Sequence, residues 1–302
     1  MKHMMVPATP AGRHARRLLS AATEPPASIG VKDVAIVLLV RPRRLALGKV
    51  VGAAFGSATR RHLTFSSDAE IEQYARDVLA RQDLFLPSML PDASTTEALL
   101  RHAVRRGEKP RRRRKHDFVD LAVVTDLCSQ MSATDVDELI AVAELRSGVR
   151  PVDQLDLDAV LDQLTTDVGR LLMRLIMTRS ADGTRNPALI EDDHAVLDAA
   201  FELASMRMLG RPPSGAELDT WAARVARLMQ DVSLDEIKAI VRNPYGYSIS
   251  ALGDDAHRVA KVRAASADAV LTCLLASEAF DVLRGAEQLA RRRGFDPQRA
   301  GS

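Results

Sequence analysis

The sequence predicts a mainly α-helical protein: a multi-helix bundle with a smaller N-terminal region carrying one short strand or hairpin. Composition points this way first. Aromatic residues are scarce at 4% of the 302 residues, and alanine, leucine and arginine are abundant, which favours helices over sandwiches or barrels. From residue 66 onward, apolar residues recur at i, i+3, i+4, i+7, the stripe of one helix face. Ser-x-x-Glu strings precede several of these runs, and such strings satisfy helix-start N–H groups reciprocally.

In chain order, residues 1–28 carry proline, alanine and arginine without periodicity and read as a disordered basic tail. Lys2, Arg13, Arg16 and Arg17 precede the first acid, Glu24, so in a eukaryote a mitochondrial transit peptide is the other reading. A small basic domain is expected over 29–108. Its first element, Val34–Val40, is a β-branched apolar run closed by Arg41-Pro42 and reads as a buried strand, with a helix turn as the alternative. Leu45–Ala58 places Gly48, Gly52 and Gly56 at every fourth position. On a helix that stripe would admit a neighbouring backbone or a bilayer; otherwise it marks a glycine-loosened loop or a tightly packed core helix. Flanking arginines make it too short to span a membrane. Ser67-x-x-Glu70 opens a helix with Ile71, Tyr74, Ala75, Val78 and Leu79 inward. Ser94-x-x-Glu97 opens another with Leu99, Leu100, Ala103 and Val104, stopped near Gly107.

The sharpest compositional break is Lys109-Pro-Arg-Arg-Arg-Arg-Lys115, six cations around a proline. Proline blocks the helix and the charges repel, so 109–116 is expected to be a solvated linker between domains. An acidic helical domain is expected over 117–285. Phe118, Leu121, Ala122, Thr125 and Cys128 share one face. Thr134 is placed as the cap of the next helix, with Val136, Leu139, Ile140 and Ala143 inward and Gly148 at its end. Leu157, Leu161, Leu164, Val168, Leu171 and Leu175 alternate spacings of four and three, a heptad seam on one helix over about 157–178. That seam reads as a dimerising coiled coil or as the central helix of a bundle; the bundle is favoured because the seam is under three heptads. Further helices follow at Val196–Leu209, after Ser214-x-x-Glu217 with Trp221 inward, after Ser233-x-x-Glu236, and over Val259–Leu283. Residues 286–302 are expected to be a basic tail.

Met208-Leu-Gly-Arg-Pro-Pro-Ser-Gly215, Leu218, Trp221, Ser233-Leu-Asp-Glu-Ile237 and Asn243-Pro-Tyr245 resemble, over residues 196–248, a bacterial helical domain of unknown function related in appearance to phycobilisome linkers. Leu274–Phe280 looks like a second copy of its ending. The resemblance implies a packing or linker module within a larger assembly rather than an active site.

Residues 1–116 hold 22 Lys+Arg against 10 Asp+Glu, and residues 117–302 hold 20 against 30. This division suggests an anionic partner for the first part, or contact between the parts. Two cysteines exclude a disulfide framework and fit a reducing, cytoplasmic setting. No run of 18 apolar residues occurs, so no conventional membrane span is expected.

Asp192-Asp193-His194 and Asp254-Asp255-Ala256-His257 carry metal-ligand types, but each sits where a helix should begin and acids favour the helix dipole, so no metal or other cofactor is assigned. There is no Gly-x-Ser-x-Gly elbow and no phosphate loop, so no catalytic residue and no small-molecule substrate are assigned. Lys109, Arg111, Arg112, Arg113, Arg114 and Lys115 are the anion-binding candidates. Leu157, Leu161, Leu164, Val168, Leu171 and Leu175 are the interface candidates. The function expected is a non-enzymatic scaffold working through protein partners or self-association. The alternative is a nucleic-acid-associated protein gripping phosphates through 109–115, and an enzyme assembled from distant residues stands third.

Overall fold

A computed structural model describes residues 5–20, 41–81, 91–104, 116–152, 154–178, 194–227, 229, 232–242 and 256–293. The chain divides into two compact units, Met1–Val152 and Asp153–Ser302. Among the described residues all regular structure is helical. The strand expected at Val34–Val40 lies outside the described residues, as does the linker at 109–115.

Unit 1 contains α1 (Pro10–Ser20), α2 (Arg41–Leu63), α3 (Asp68–Ala80), α4 (Ala93–Ala103), α5 (His116–Cys128) and α6 (Ala133–Arg146). Its centre is α2, which packs on α1, α4, α5 and α6 through buried Val50, Val51, Ala54, Phe55 and Ala58. Two glycines of the α2 stripe, Gly48 and Gly56, meet no neighbouring helix among the described residues. A Cβ at Gly48 would meet nothing, and one at Gly56 only the flexible head of Arg60. On α6, every residue from Glu138 to Leu145 is buried, as expected of a helix apolar on most sides.

Unit 2 contains α7 (Gln154–Leu161), α8 (Asp167–Thr178), α9 (His194–Leu209), α10 (Gly215–Ala226), α11 (Leu234–Arg242), α12 (Ala256–Leu271) and α13 (Ala276–Arg292). Here α9 takes the central place, against α8, α12 and α13, while α10, α11 and α12 pack together. Ser67 and Ser214 form the expected capping boxes. Gly148 and Gly210 sit at φ +69° and +67°, the left-handed conformation that ends a helix.

Several expectations are corrected. Residues 10–20 of the supposed tail form α1, whose Ala15, Leu18 and Leu19 are buried. The boundary between units falls after residue 152, not at the arginines, because α5 and α6 pack on α2. The cap of α4 is Asp92, which takes the Thr95 N–H at 2.7 Å and also the Ser94 hydroxyl at 2.8 Å; the carboxylate is the stronger acceptor. The cap of α6 is Ser132, not Thr134. The run 157–178 is two helices broken at 162–166, and Val259–Leu283 is two helices broken at Thr272–Leu275. The C-terminal residues up to Arg292 are helical, with Ala286, Glu287 and Ala290 buried against unit 2.

The two units repeat one another. Helices α1 to α6 correspond in order to α8 to α13, and the principal packing pairs correspond too: α2 with α5 and α6 as α9 with α12 and α13, α3 with α4 as α10 with α11, and α1 with α6 as α8 with α13. Sequence follows the same register. Thr9-x-x-Gly12-Arg13-x-x-x-Arg17-Leu18 recurs as Thr166-x-x-Gly169-Arg170-x-x-x-Arg174-Leu175. Ala53-Ala54-Phe55 recurs as Ala199-Ala200-Phe201, and Ser67-x-x-Glu70 with Tyr74-Ala75 recurs as Ser214-x-x-Glu217 with Trp221-Ala222.

Candidate functional site

The most constrained polar arrangement occurs once in each unit. In unit 1, Glu144 of α6 is fully buried. Its carboxylate accepts the backbone N–H of Ala8 at 2.9 Å and of Thr9 at 2.7 Å, together with the Thr9 hydroxyl. Thr9 Oγ1 in turn accepts the N–H of Gly12 at 3.0 Å. In unit 2, Glu287 of α13 is 4% exposed. It accepts the N–H of Thr165 at 2.9 Å and of Thr166 at 2.8 Å, with both hydroxyls at 2.9 and 2.7 Å, and Thr166 Oγ1 accepts the Gly169 N–H at 3.1 Å. Glu144 and Glu287 stand at equivalent positions of α6 and α13.

Helix starts leave backbone N–H groups without partners and carry the positive end of the dipole. A carboxylate from the last helix of each unit meets both needs and ties the first repeated helix to the last. It also explains the glycines. A Cβ at Gly12 would stand 1.8 Å from Glu144 Oε1, and one at Gly169 2.6 Å from Glu287 Oε1, so only glycine leaves room for the carboxylate. The same arrangement breaks the expected long helix at 162–166: Thr165 and Thr166 present their N–H groups to Glu287 instead of continuing a helical ladder.

The copies differ beside this latch. Arg16 of α1 pairs with Asp137 of α6, whereas the equivalent positions of unit 2 hold Met173 and Phe280, both buried. Unit 2 also buries an ion pair, Arg263 Nε to Asp198 at 3.1 Å with side chains 5% and 6% exposed. Burial pushes the Asp198 carboxyl up to about 7, with Arg263 and Arg293 pulling it down. Unit 1 has Asp120 and Gly52 at those positions. Trp221 lies under the Arg224 guanidinium, 5.3 Å from the ring centre, and Arg224 also reaches Cys273 Sγ at 3.0 Å. Its counterpart Tyr74 donates to Asp126 at 2.8 Å; burial and the Asp126 charge hold that phenol protonated.

Of the interface candidates, Leu157, Leu161, Leu164 and Val168 are buried inside unit 2, while Leu171 and Leu175 are half-buried. They do not form one continuous seam, because α7 and α8 are separate helices. The anion-binding candidates Lys109 and Arg111–Lys115 lie outside the described residues, as do Asp192, Asp193, Asp254 and Asp255. His194 is buried at the start of α9. No group of three His, Cys, Asp or Glu able to hold a metal occurs among the described residues, and none of the described helices is long and apolar enough to cross a membrane. Both cysteines are buried thiols outside any disulfide, and burial pushes the Cys128 thiol up to about 12. The latch residues were missed because Glu144 and Glu287 look like ordinary helix-surface acids. The signal able to reveal them is the repeated Thr-x-x-Gly-Arg-x-x-x-Arg-Leu string. Compared with family models, with curated proteins and with solved structures, the chain matches none.

Proposed function

We propose that the protein is a non-enzymatic scaffold or assembly protein of the cytoplasm, whose helix faces contact protein partners or further copies of itself, with the basic segment 109–115 meeting an anionic partner. The observation that carries this reading is the repetition of one helical unit in one chain. Two similar surfaces on a single chain raise the effective concentration of the second contact once the first is made. The likeness of residues 196–248 to a linker-like helical domain supports the same reading, and two buried thiols outside any disulfide suit a reducing compartment.

Analytical ultracentrifugation with multi-angle light scattering tests it. Self-association, or a stoichiometric complex with a purified partner, is expected. A strict monomer that captures no partner, or turnover of a small molecule, refutes it.

A second reading, phosphate-backbone binding, is favoured by the six cations of 109–115 and by the excess of 24 Lys+Arg over 17 Asp+Glu in residues 1–152. A steep salt dependence of DNA or RNA affinity would support it.

A further inference from the structure

The repetition separates surface side chains that the fold uses from those kept for another reason. Within the paired helices arginine recurs at four equivalent positions: 13 and 170, 17 and 174, 61 and 207, 101 and 242. Arg101 pairs with Asp68 and Glu97, and Arg242 with Asp219. Arg207 pairs with Glu278, and Arg61 interacts within the chain. Arg13 turns back to the carbonyl of Ala8, and Arg170 to that of Leu164 at 3.0 Å, so each is fixed against the chain just ahead of its helix. Arg170 also meets Asp167 at 3.2 Å.

Arg17 and Arg174 differ from the other three pairs. Both are exposed, one helical turn beyond the fixed arginine, and neither meets an acid or an acceptor among the described residues. Like charges four residues apart cost a helix a few tenths of a kcal/mol. Elsewhere the copies have drifted freely on the surface, Arg76 against Ala223 and Glu97 against Lys238. An unfavourable arrangement retained in both copies, on the helix that each latch holds in place, points to a ligand.

We propose that Arg17 and Arg174, each one helical turn beyond a fixed arginine, are equivalent docking points through which the two units grip an acidic protein partner at two places. This rests on the scaffold reading above and names its partner's chemistry. Each of the two arginines presents an exposed guanidinium on its helix, matched to a carboxylate in forked geometry. A nucleic acid fits less well. Residues 153–302 hold 18 Lys+Arg against 23 Asp+Glu, so the field of unit 2 repels a polyanion, and a contact that serves both units has to act locally. Two equivalent contacts on one chain suit a partner that presents its acidic group repeatedly, as an oligomer or a repeat protein does.

The test uses the full chain, with a fluorescently labelled peptide of two short glutamate clusters joined by a Gly/Ser linker as the probe and anisotropy as the readout. Arg17→Ala and Arg174→Ala are each expected to weaken binding about two- to fivefold, and the double variant about tenfold or more. Arg76→Ala, at a position the second copy fills with alanine, is expected to leave binding unchanged. Circular dichroism of all variants should match the parent, since neither arginine meets an acid or an acceptor among the described residues. The proposal is overturned if the double variant binds within twofold of the parent, if Arg76→Ala weakens binding equally, or if the parent does not bind the peptide. It is also overturned if the parent holds duplex DNA of equal charge more tightly and loses it in the double variant. None of these outcomes touches the scaffold reading, which the sedimentation and scattering measurements judge separately.

Discussion

Replacing Glu287 with alanine tests the latch directly. In the native unit the carboxylate accepts two backbone N–H groups and two hydroxyls from Thr165 and Thr166. The hydroxyls can rotate toward other acceptors, but the N–H groups are fixed by the chain. Each buried donor left without a partner costs about 1–3 kcal/mol, so the loss of both N–H acceptors in Glu287→Ala should destabilise unit 2 by about 2–6 kcal/mol. Glutamine keeps one acceptor oxygen and loses the charge that faces the helix dipole, so Glu287→Gln should cost only about 1–2 kcal/mol. The chain's single tryptophan, Trp221, is buried in unit 2, so its fluorescence during urea unfolding reports that unit, while far-UV circular dichroism reports both. With a urea slope of roughly 2 kcal/mol/M, the alanine variant should lose about 1–3 M in the tryptophan midpoint. Glu144→Ala should shift the circular dichroism transition instead. A tryptophan midpoint within about 0.3 M of the parent for Glu287→Ala, or equal losses for alanine and glutamine, would refute the reasoning.

Gly12→Ala should destabilise unit 1, although alanine normally favours a helix over glycine by about 1 kcal/mol, because the new Cβ at 1.8 Å evicts the Glu144 carboxylate; a thermal melt showing a gain would contradict this. Asp198 gives a pH signature. Its carboxyl is raised from 3.8 to about 7 in the folded state, so its contribution is fully present below pH 3.8 and is lost as pH rises through 7. Asp198→Asn should therefore gain stability relative to the parent between pH 5 and about 8, as read by Trp221 fluorescence at each pH; a constant difference would count against it. The Cys128 thiol, held up to about 12 by burial, should resist a disulfide reagent at neutral pH until urea unfolds the chain, and rapid labelling of the native protein would show otherwise. Replacing Arg111–Arg114 with alanine should flatten the salt dependence of any DNA or RNA binding; an unchanged slope would remove the phosphate-binding reading.

Most helices were legible because their signals are local. Ile71, Ala75 and Val78, or Ile237, Ile240 and Val241, are spaced so that one face is apolar and buried. Ser67 and Ser214 cap their helices through atoms within three residues. The misplaced boundaries share a cause. The break at 162–166 comes from a carboxylate more than 120 residues away, and no periodicity within the segment announces it. Helix α1 looked like a tail because three of its basic residues mask a short apolar face, and only packing on α2 and α6 with capture by Glu144 makes it a helix. The heptad spacing of the interface candidates is one that a bundle core satisfies equally well.

The sequence by itself determined that this chain is helical, where most of its helices begin, and that charge is divided along its length, because propensity, capping and composition act over a few residues. It also contained the repeat in plain letters. Tertiary structure decided which acids are buried, which glycines must stay glycine and where one unit ends, because each depends on a carboxylate or helix meeting a partner far along the chain. That pairing is set by close packing in space, and a one-dimensional pattern does not encode it.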